Sequence, residues 1–186
     1  DVVQLLLDYS ERIELNARSN DGWNGFMIAC CFGLKDVVKL LLDSNIELNA
    51  RSNIGWTAFM IACQNGRKDV VQLLLDHSER IELNARGNDG WTAIMIACSL
   101  GRKDVVQLLL NHSDPRIDLN VKDNNGRTAL MWACFYGRKD VVQVFLDNSK
   151  RIDLNVKDND GRTALMIASQ KGRQDIVQLI KAKLMQ

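Results

Sequence analysis

Apolar residues occur along this chain in two alternating kinds of block. The first kind, as in TAIMIAC (92–98), is almost wholly apolar and rich in small residues, which predicts a short helix buried on most sides. The second kind, as in KDVVQLLLN (103–111), places Val105, Leu108 and Leu109 on one side of a helix at i, i+3 and i+4. The pattern therefore predicts pairs of helices, one buried and one amphipathic.

The residues between these blocks carry turn signals. Thr92 precedes the first helix and is predicted to cap it, because a threonine hydroxyl can accept a hydrogen bond from an amide of the first turn. Gly101 separates the two helices and indicates a tight turn. The triplet NDG (88–90) ahead of the pair is typical of a β-turn. One unit is therefore a β-turn followed by two helices.

The same unit returns along the whole chain. The glycine of the β-turn recurs after 33, 35, 36 and 35 residues, and the glycine between the helices keeps the same intervals. Such a period predicts a solenoid in which each unit buries its apolar surface against its neighbours. We expect a single all-α repeat domain over residues 1–186, with β-turn or hairpin tips. Its predicted parts are a half-repeat (1–18), four repeats (19–51, 52–86, 87–122 and 123–157) and a last repeat with a C-terminal cap (158–186). The leading half-repeat favours origin in a longer array.

Composition and charge exclude several classes of protein. With 46% hydrophobic and 25% charged residues, the chain is expected to fold. A net charge of +1, from 24 basic and 23 acidic residues, gives no electrostatic case for a nucleic acid partner. No apolar run approaches the length of a membrane-spanning helix, so no membrane insertion is expected.

The cysteines are predicted to be free thiols. Cys30, Cys63, Cys98 and Cys134 recur at one position of the unit, with Cys31 beside the first. Equivalent positions on packed helices lie about 8–10 Å apart, beyond the ~7 Å Cα separation that a disulfide bridges. Reduced thiols favour an intracellular setting, cytoplasmic or nuclear.

The segment DNNGRTALMWACFYGRKDVVQVFLD (123–147) and its copies resemble the ankyrin repeat. The family opens its first helix with Thr-Pro-Leu-His, whereas this chain has alanine in place of the proline and methionine in place of the histidine. The replacing methionines are Met60, Met95, Met131 and Met166. We predict that they pack in the core rather than form a functional stripe. The resemblance implies a helical solenoid that binds proteins on a concave side formed by turn tips and first-helix ends.

Signals for catalysis are missing from the sequence. The two histidines, His77 and His112, occupy equivalent positions 35 residues apart, which does not bring them to one metal. No CxxC, HExxH, GxGxxG, GxxxxGK or GxSxG pattern occurs. We therefore expect no enzyme activity, no cofactor and no metal site.

The predicted binding residues fall in three columns of the repeat. The position after the β-turn glycine holds Trp23, Trp56, Trp91, Arg127 and Arg162. Leading into each turn is a base: Arg18, Arg51, Arg86, Lys122 or Lys157. Apolar first-helix ends are Phe32, Leu100, Phe135 and Tyr136. Because tryptophan, tyrosine and arginine are enriched at interface hot spots, we predict a non-catalytic binding module for a hydrophobic protein or peptide with acidic flanks.

Alternatives to this reading remain open at the level of sequence. The tryptophan column could be duplicated structure, with each ring packing over an arginine of the next unit as a cation–π pair. Trp132 stands where Ile61 and Ile96 occur and is expected in the core. The domain could instead recruit substrates or direct targeting for a larger enzyme or channel, or be an engineered ankyrin scaffold.

The ends of the second helices lack the glycine that usually forms a left-handed cap. One unit has Asn45 there, which tolerates the left-handed region, and four have serine followed by extra residues: 11–12, 79–80, 114–116 and 150–151. We expect the longer loop to replace the cap. Deletion of Glu79 and Arg80 should then be tolerated if Ser78 becomes glycine.

Overall fold

A computed structural model describes residues 14–112, 117–148 and 152–185 and has ten helices there, arranged as five pairs. In chain order they are α1 (Gly25–Phe32), α2 (Lys35–Leu42), α3 (Ala58–Gln64), α4 (Lys68–Asp76), α5 (Ala93–Ser99), α6 (Lys103–Asn111), α7 (Ala129–Phe135), α8 (Lys139–Asp147), α9 (Ala164–Gln170) and α10 (Gln174–Leu184). No strand occurs in these three ranges. The predicted all-α solenoid is confirmed. The predicted helix of the leading half-repeat lies outside the described residues.

The helices stack in two layers. The odd-numbered helices, here called first helices, pack against one another in chain order, and the even-numbered second helices do the same. Within each pair the two helices also contact each other. The three middle first helices, α3, α5 and α7, are buried almost all round, and every residue of α5 is buried, while second helices bury one face. The core therefore runs along the array between the two layers.

Two positions of the first helix show how neighbouring units cover each other. Met95 is fully buried between units, whereas Met166, in the last first helix, is 53% exposed. Ile96 is likewise buried, whereas Ile28, in α1, is 43% exposed. The methionine is thus covered by the following unit and the isoleucine by the preceding one. Core packing is confirmed for Met60, Met95 and Met131 and is wrong for Met166, which has no following first helix among the described residues.

Capping of the first helices follows the sequence prediction except in one unit. The side chains of Asn24, Thr57, Thr128 and Thr163 each accept a hydrogen bond from the backbone nitrogen of the methionine three residues later. Thr92 occupies the same extended N-cap conformation, but its buried hydroxyl makes no hydrogen bond. The predicted capping hydrogen bond of Thr92 is therefore wrong.

The C-terminal end of one second helix, α2, is bound by a residue of the following unit. α2 ends at Leu42, its C-cap residue Asp43 has a right-handed backbone conformation, and no described residue other than glycine has positive φ, so Asn45 does not form a left-handed cap. Arg80 instead donates from Nη1 to the carbonyl of Leu42, at the negative end of the helix dipole. The Arg80 carbonyl accepts from Asn49 Nδ2 at 2.8 Å. Since these contacts give Arg80 a structural role, deleting residues 79–80 is now expected to destabilise the array. The loops at 11–12, 114–116 and 150–151 lie outside the described residues.

The turn tips are joined by a ladder of asparagine side chains, here called the tip ladder. Each Nδ2 donates to the backbone carbonyl of the equivalent asparagine one unit earlier: Asn53 to Asn20 at 2.8 Å, Asn88 to Asn53 at 3.0 Å, Asn124 to Asn88 at 3.2 Å and Asn159 to Asn124 at 3.1 Å. The close approach depends on glycine. Gly126 has φ +74°, and a Cβ there would overlap the Asn159 side chain and lie 2.7 Å from its backbone nitrogen.

Two further sets of side chains link consecutive units. Asparagine Oδ1 atoms accept backbone amides of the next loop: Asn16 from Glu47, Asn49 from Glu82, Asn84 from Asp118 and Asn120 from Asp153. Arginine Nε atoms donate to first-helix carbonyls one unit earlier: Arg67 to Cys31, Arg102 to Gln64 and Arg138 to Ser99. The repeat thus holds each neighbour by polar bonds as well as by apolar packing.

Candidate partner-binding surface

The tryptophans after the β-turn glycines are half-buried and pack against the core. The backbone nitrogens of Trp23 and Trp56 donate to serine Oγ atoms of their own turns, while that of Trp91 donates to Asp89 Oδ1 at 3.0 Å. None of these three rings faces an arginine or lysine in a cation–π contact within the described ranges. The tryptophan column therefore combines packing with a partly accessible edge, and the predicted stacking on the next unit's arginine is not formed.

Trp56 lies against the turn of the following unit. A Cβ added to Gly87 would come within 2.9 Å of the Trp56 ring atoms Cδ1 and Nε1. Other units carry a side chain at this position, such as Ser52, whose Oγ accepts from the Trp56 amide at 3.1 Å. The missing side chain at Gly87 makes room for the indole, so Trp56 helps to join two units.

Three of the predicted basic residues are engaged between units. Arg18 pairs with Glu47 at 2.7 Å and donates to the Arg51 carbonyl at 2.9 Å. Arg51 repeats the arrangement with Glu82 at 3.1 Å and the Arg86 carbonyl at 2.7 Å. Lys122 donates to the Lys157 carbonyl at 2.9 Å. These exposed contacts align successive loops, although each ion pair contributes no more than about 1 kcal/mol.

The other two predicted basic residues have no bonding partner for their side chains within the described residues. In the described part of the chain the side chains of Arg86 and Lys157 make no hydrogen bond or ion pair, and both are exposed. The acid that pairs with Arg51 is Glu82, whereas the equivalent residue for Arg86 is Asp118, whose side chain is one methylene shorter. The Asp118 carboxylate instead accepts from the Asn120 amide of its own loop at 2.9 Å.

The arginines that replace tryptophan in the last two units converge on one carboxylate. Asp158 Oδ2 lies 3.5 Å from Arg127 Nε and 2.9 Å from Arg162 Nη2, and Arg162 also contacts Asp160. Burial of Asp158 by itself raises its pKa, but hydrogen bonds from Arg162 and the positive charge of its guanidinium outweigh burial and lower the pKa of this carboxyl overall. The hydrogen bond to Asp158 in turn raises the pKa of Arg162.

Four aromatic rings meet near the ends of α5 and α7, and we call Trp91, Trp132, Phe135 and Tyr136 the aromatic cluster. The Trp132 ring centroid is 4.5 Å from that of Trp91, 5.5 Å from that of Phe135 and 5.8 Å from that of Tyr136. Trp132 is buried, as predicted, and its Nε1 donates to Asp123 Oδ2 at 2.9 Å. Such contacts stabilise the cluster beyond the area they bury.

Two cations lie over the rings of this cluster. Arg127 Cζ is 4.8 Å from the Trp132 centroid and 5.2 Å from that of Phe135, and Lys171 Nζ is 4.2 Å from the Phe135 centroid. The cluster is open at its rim, where Tyr136 is 43% exposed. The structure thus joins Trp91, Arg127, Phe135 and Tyr136 of the predicted set and adds Lys171, which is not in that set although it occupies the same repeat position as Tyr136.

The other predicted apolar residues lie at first-helix ends. Phe32 is 64% exposed and Leu100 is 40% exposed. Leu100, Tyr136 and Lys171 are the C-cap residues of α5, α7 and α9, so they follow one another along the array. Asn65, the C-cap of α3, interrupts the apolar series between Phe32 and Leu100.

A family model for ankyrin repeats matches the chain in three overlapping copies, at residues 27–123, 79–158 and 115–185. The chain belongs to the ankyrin repeat family. Ankyrin repeat domains are in general protein-binding modules and are typically non-catalytic. A search of curated proteins finds no match for this ankyrin chain.

The cysteines of this ankyrin array are free thiols, as predicted. Burial raises the pKa of Cys30, Cys63 and Cys98, and raises that of Cys134 to about 12. Such thiols stay protonated at neutral pH and do not act as nucleophiles. Within the described residues, no three histidine, cysteine or acidic side chains come together in a way that could hold a metal ion. No helix there is long and apolar enough to cross a membrane.

Proposed function

We propose that this ankyrin repeat protein binds a protein or peptide on its concave face, through the columns that carry the tryptophans, arginines and first-helix ends. The observation that carries the proposal is the exposure of large apolar side chains at first-helix ends, with Phe32, Leu100 and Tyr136 at the same repeat position of the first, third and fourth units. Large apolar and aromatic residues that are open to solvent and rimmed by polar groups are typical of interaction sites.

The charges favour a partner with acidic flanks. Arg86 and Lys157 are exposed cations without partners in the described chain, so a carboxylate of a ligand does not compete with an existing ion pair there. Arg18, Arg51 and Lys122 are already bonded between units and are expected to add less. The proposed ligand is therefore a hydrophobic segment flanked by aspartate or glutamate.

Selection of peptides from a random displayed library on the immobilised domain tests the proposal. Ligands should be enriched in aromatic or aliphatic residues next to acids, and alanine at Trp56 and Trp91 together should weaken their binding by about 2–4 kcal/mol, or roughly 30-fold or more. Since Trp56 also packs between units, unfolding curves must show that the variant is folded under the binding conditions. Lys103→Ala, an exposed change on the second-helix layer, is the matched control. Unchanged affinity in the double variant would make the tryptophans structural.

The same proposal includes two points about organisation and setting. The repeat boundaries are taken as 19–51, 52–86, 87–122, 123–157 and 158–186, each with its own helix pair. The free thiols support an intracellular location, cytoplasmic or nuclear. Limited proteolysis should cut between the proposed units before it cuts within them.

A further inference from the structure

The fourth unit differs from the second and third units at three positions of its first helix and its C-cap. Where earlier units have Ile61 or Ile96, it has Trp132, and where they have Gln64-Asn65 or Ser99-Leu100, it has Phe135-Tyr136. The changes act together, because the Trp132 ring contacts both Phe135 and Tyr136 and also reaches Trp91 in the preceding unit. One unit has therefore acquired a coherent aromatic surface that simple duplication of its neighbours does not provide.

One cation at the rim of this surface forms no ion pair within the described residues. Arg127 and Arg162 both form ion pairs with the buried carboxylate of Asp158, and Arg162 also pairs with Asp160. Lys171 makes no ion pair in the described ranges and is exposed, with its ammonium over the Phe135 ring. A carboxylate brought to Lys171 would meet a positive charge at the edge of an apolar surface, where screening by water is reduced.

We propose that Leu100, Phe135, Tyr136 and Lys171 form the specificity site for an extended acidic segment of a partner protein. This inference rests on the proposed function and specifies where on the domain the proposed ligand binds. A large apolar or aromatic anchor packs between Leu100 and Tyr136, and a carboxylate binds Lys171. These C-cap residues belong to consecutive units, and packed helices lie about 8–10 Å apart. An anchor midway between Leu100 and Tyr136 is one and a half such spacings, at most about 15 Å, from the Lys171 position, so an extended chain that advances about 3.3 Å per residue places the acid within about four residues of the anchor.

The arrangement of the rings favours a peptide over a single-stranded nucleic acid. Base stacking needs open ring faces, but the Trp132 face is covered by Trp91 at 4.5 Å and by Tyr136 at 5.8 Å with an interplanar angle of 23°. A peptide anchor needs only the exposed edges of Leu100 and Tyr136.

Parallel selections from one random peptide library test this site. The wild-type domain should enrich peptides with an aromatic or large aliphatic residue and an acid within four residues of it. Selection on Lys171→Glu should replace that acid by lysine or arginine at the same spacing, and Tyr136→Ala should weaken binding of the wild-type ligands at least tenfold. The matched controls, Leu184→Ala and Lys181→Glu, both at exposed positions of α10, should leave both the motif and its affinity unchanged.

The outcomes separate this inference from the proposed function. Ligands that lose affinity in the Trp56/Trp91 double variant but keep it in Tyr136→Ala and Lys171→Glu would overturn the site and leave the proposed function standing. A library without any enriched sequence would overturn both. Binding of a labelled dT12 oligonucleotide that depends on Tyr136 and Lys171 would replace the peptide by nucleic acid and so refute the proposal.

Discussion

Replacing one buried methionine by alanine measures how strongly a following unit covers the unit before it. Met95 is fully buried between first helices, while Met166 has the same position in the last first helix and is 53% exposed. Burying a methionine side chain completely is favourable by about 1.5–3 kcal/mol, and the cavity left by truncation brings the expected loss for Met95→Ala to about 2–5 kcal/mol. Met166→Ala leaves no closed cavity and removes only part of the burial, so its expected loss is about 1 kcal/mol or less.

Urea unfolding followed by far-ultraviolet circular dichroism gives both values. The two variants form a matched pair, because they remove the same atoms from the same repeat position and differ only in the presence of a following first helix. The slope of the unfolding free energy against urea concentration must be the same as in the wild type, since a smaller slope would indicate that the last unit unfolds separately. Equal losses in the two variants, or a loss below about 1 kcal/mol for Met95→Ala, would refute the assignment of this position to the interface between units.

Three further predictions use other contacts. Gly126→Ala should cost about 1–3 kcal/mol more than Gly161→Ala in urea unfolding, because both have positive φ but only Gly126 has the next tip against it. At pH 8 an aromatic disulfide reagent should label only one thiol of the folded domain, Cys31, and a Cys31→Ser variant should show no fast reaction. Because the folded pKa of Asp158 is lowered, its contribution to stability is present above the unfolded pKa of about 3.9 and is lost as pH falls through the folded pKa. Asp158→Asn should therefore be less stable than the wild type at pH 7 and should lose less stability on acidification. Identical profiles of stability against pH for the two proteins would contradict this.

The repeat architecture was predictable from sequence because its signals are local and recur. Glycines at fixed intervals and helix-period apolar residues decide both the turns and the helix pairs, and each copy supports the others. The burial of Trp132 was also predictable, since it replaces isoleucines of the same position. Predicting these features does not require knowing which residues of neighbouring units contact each other.

Contacts between units could not be read from the pattern with the same accuracy. Arg51 and Arg86 look equivalent in sequence, but only Arg51 reaches an acid of sufficient length in the next loop. Arg80 looked like an insertion in a loop, although its side chain crosses back to the end of α2. Lys171 gains its place beside the aromatic cluster from the stacking of α9 on α7. Each outcome depends on distances across a joint between units, which a single linear sequence does not contain.

The tip ladder has a consequence for how such a domain can evolve. Every rung uses the same donor and the same acceptor, displaced by one unit, so the hydrogen bond between the turn tips is chemically the same at each of these four joints. A recombination event that copies or removes one whole unit joins ends that already fit. The array can therefore gain or lose binding surface in discrete steps, while changes confined to one unit, such as Trp132, Phe135 and Tyr136, alter what that surface recognises.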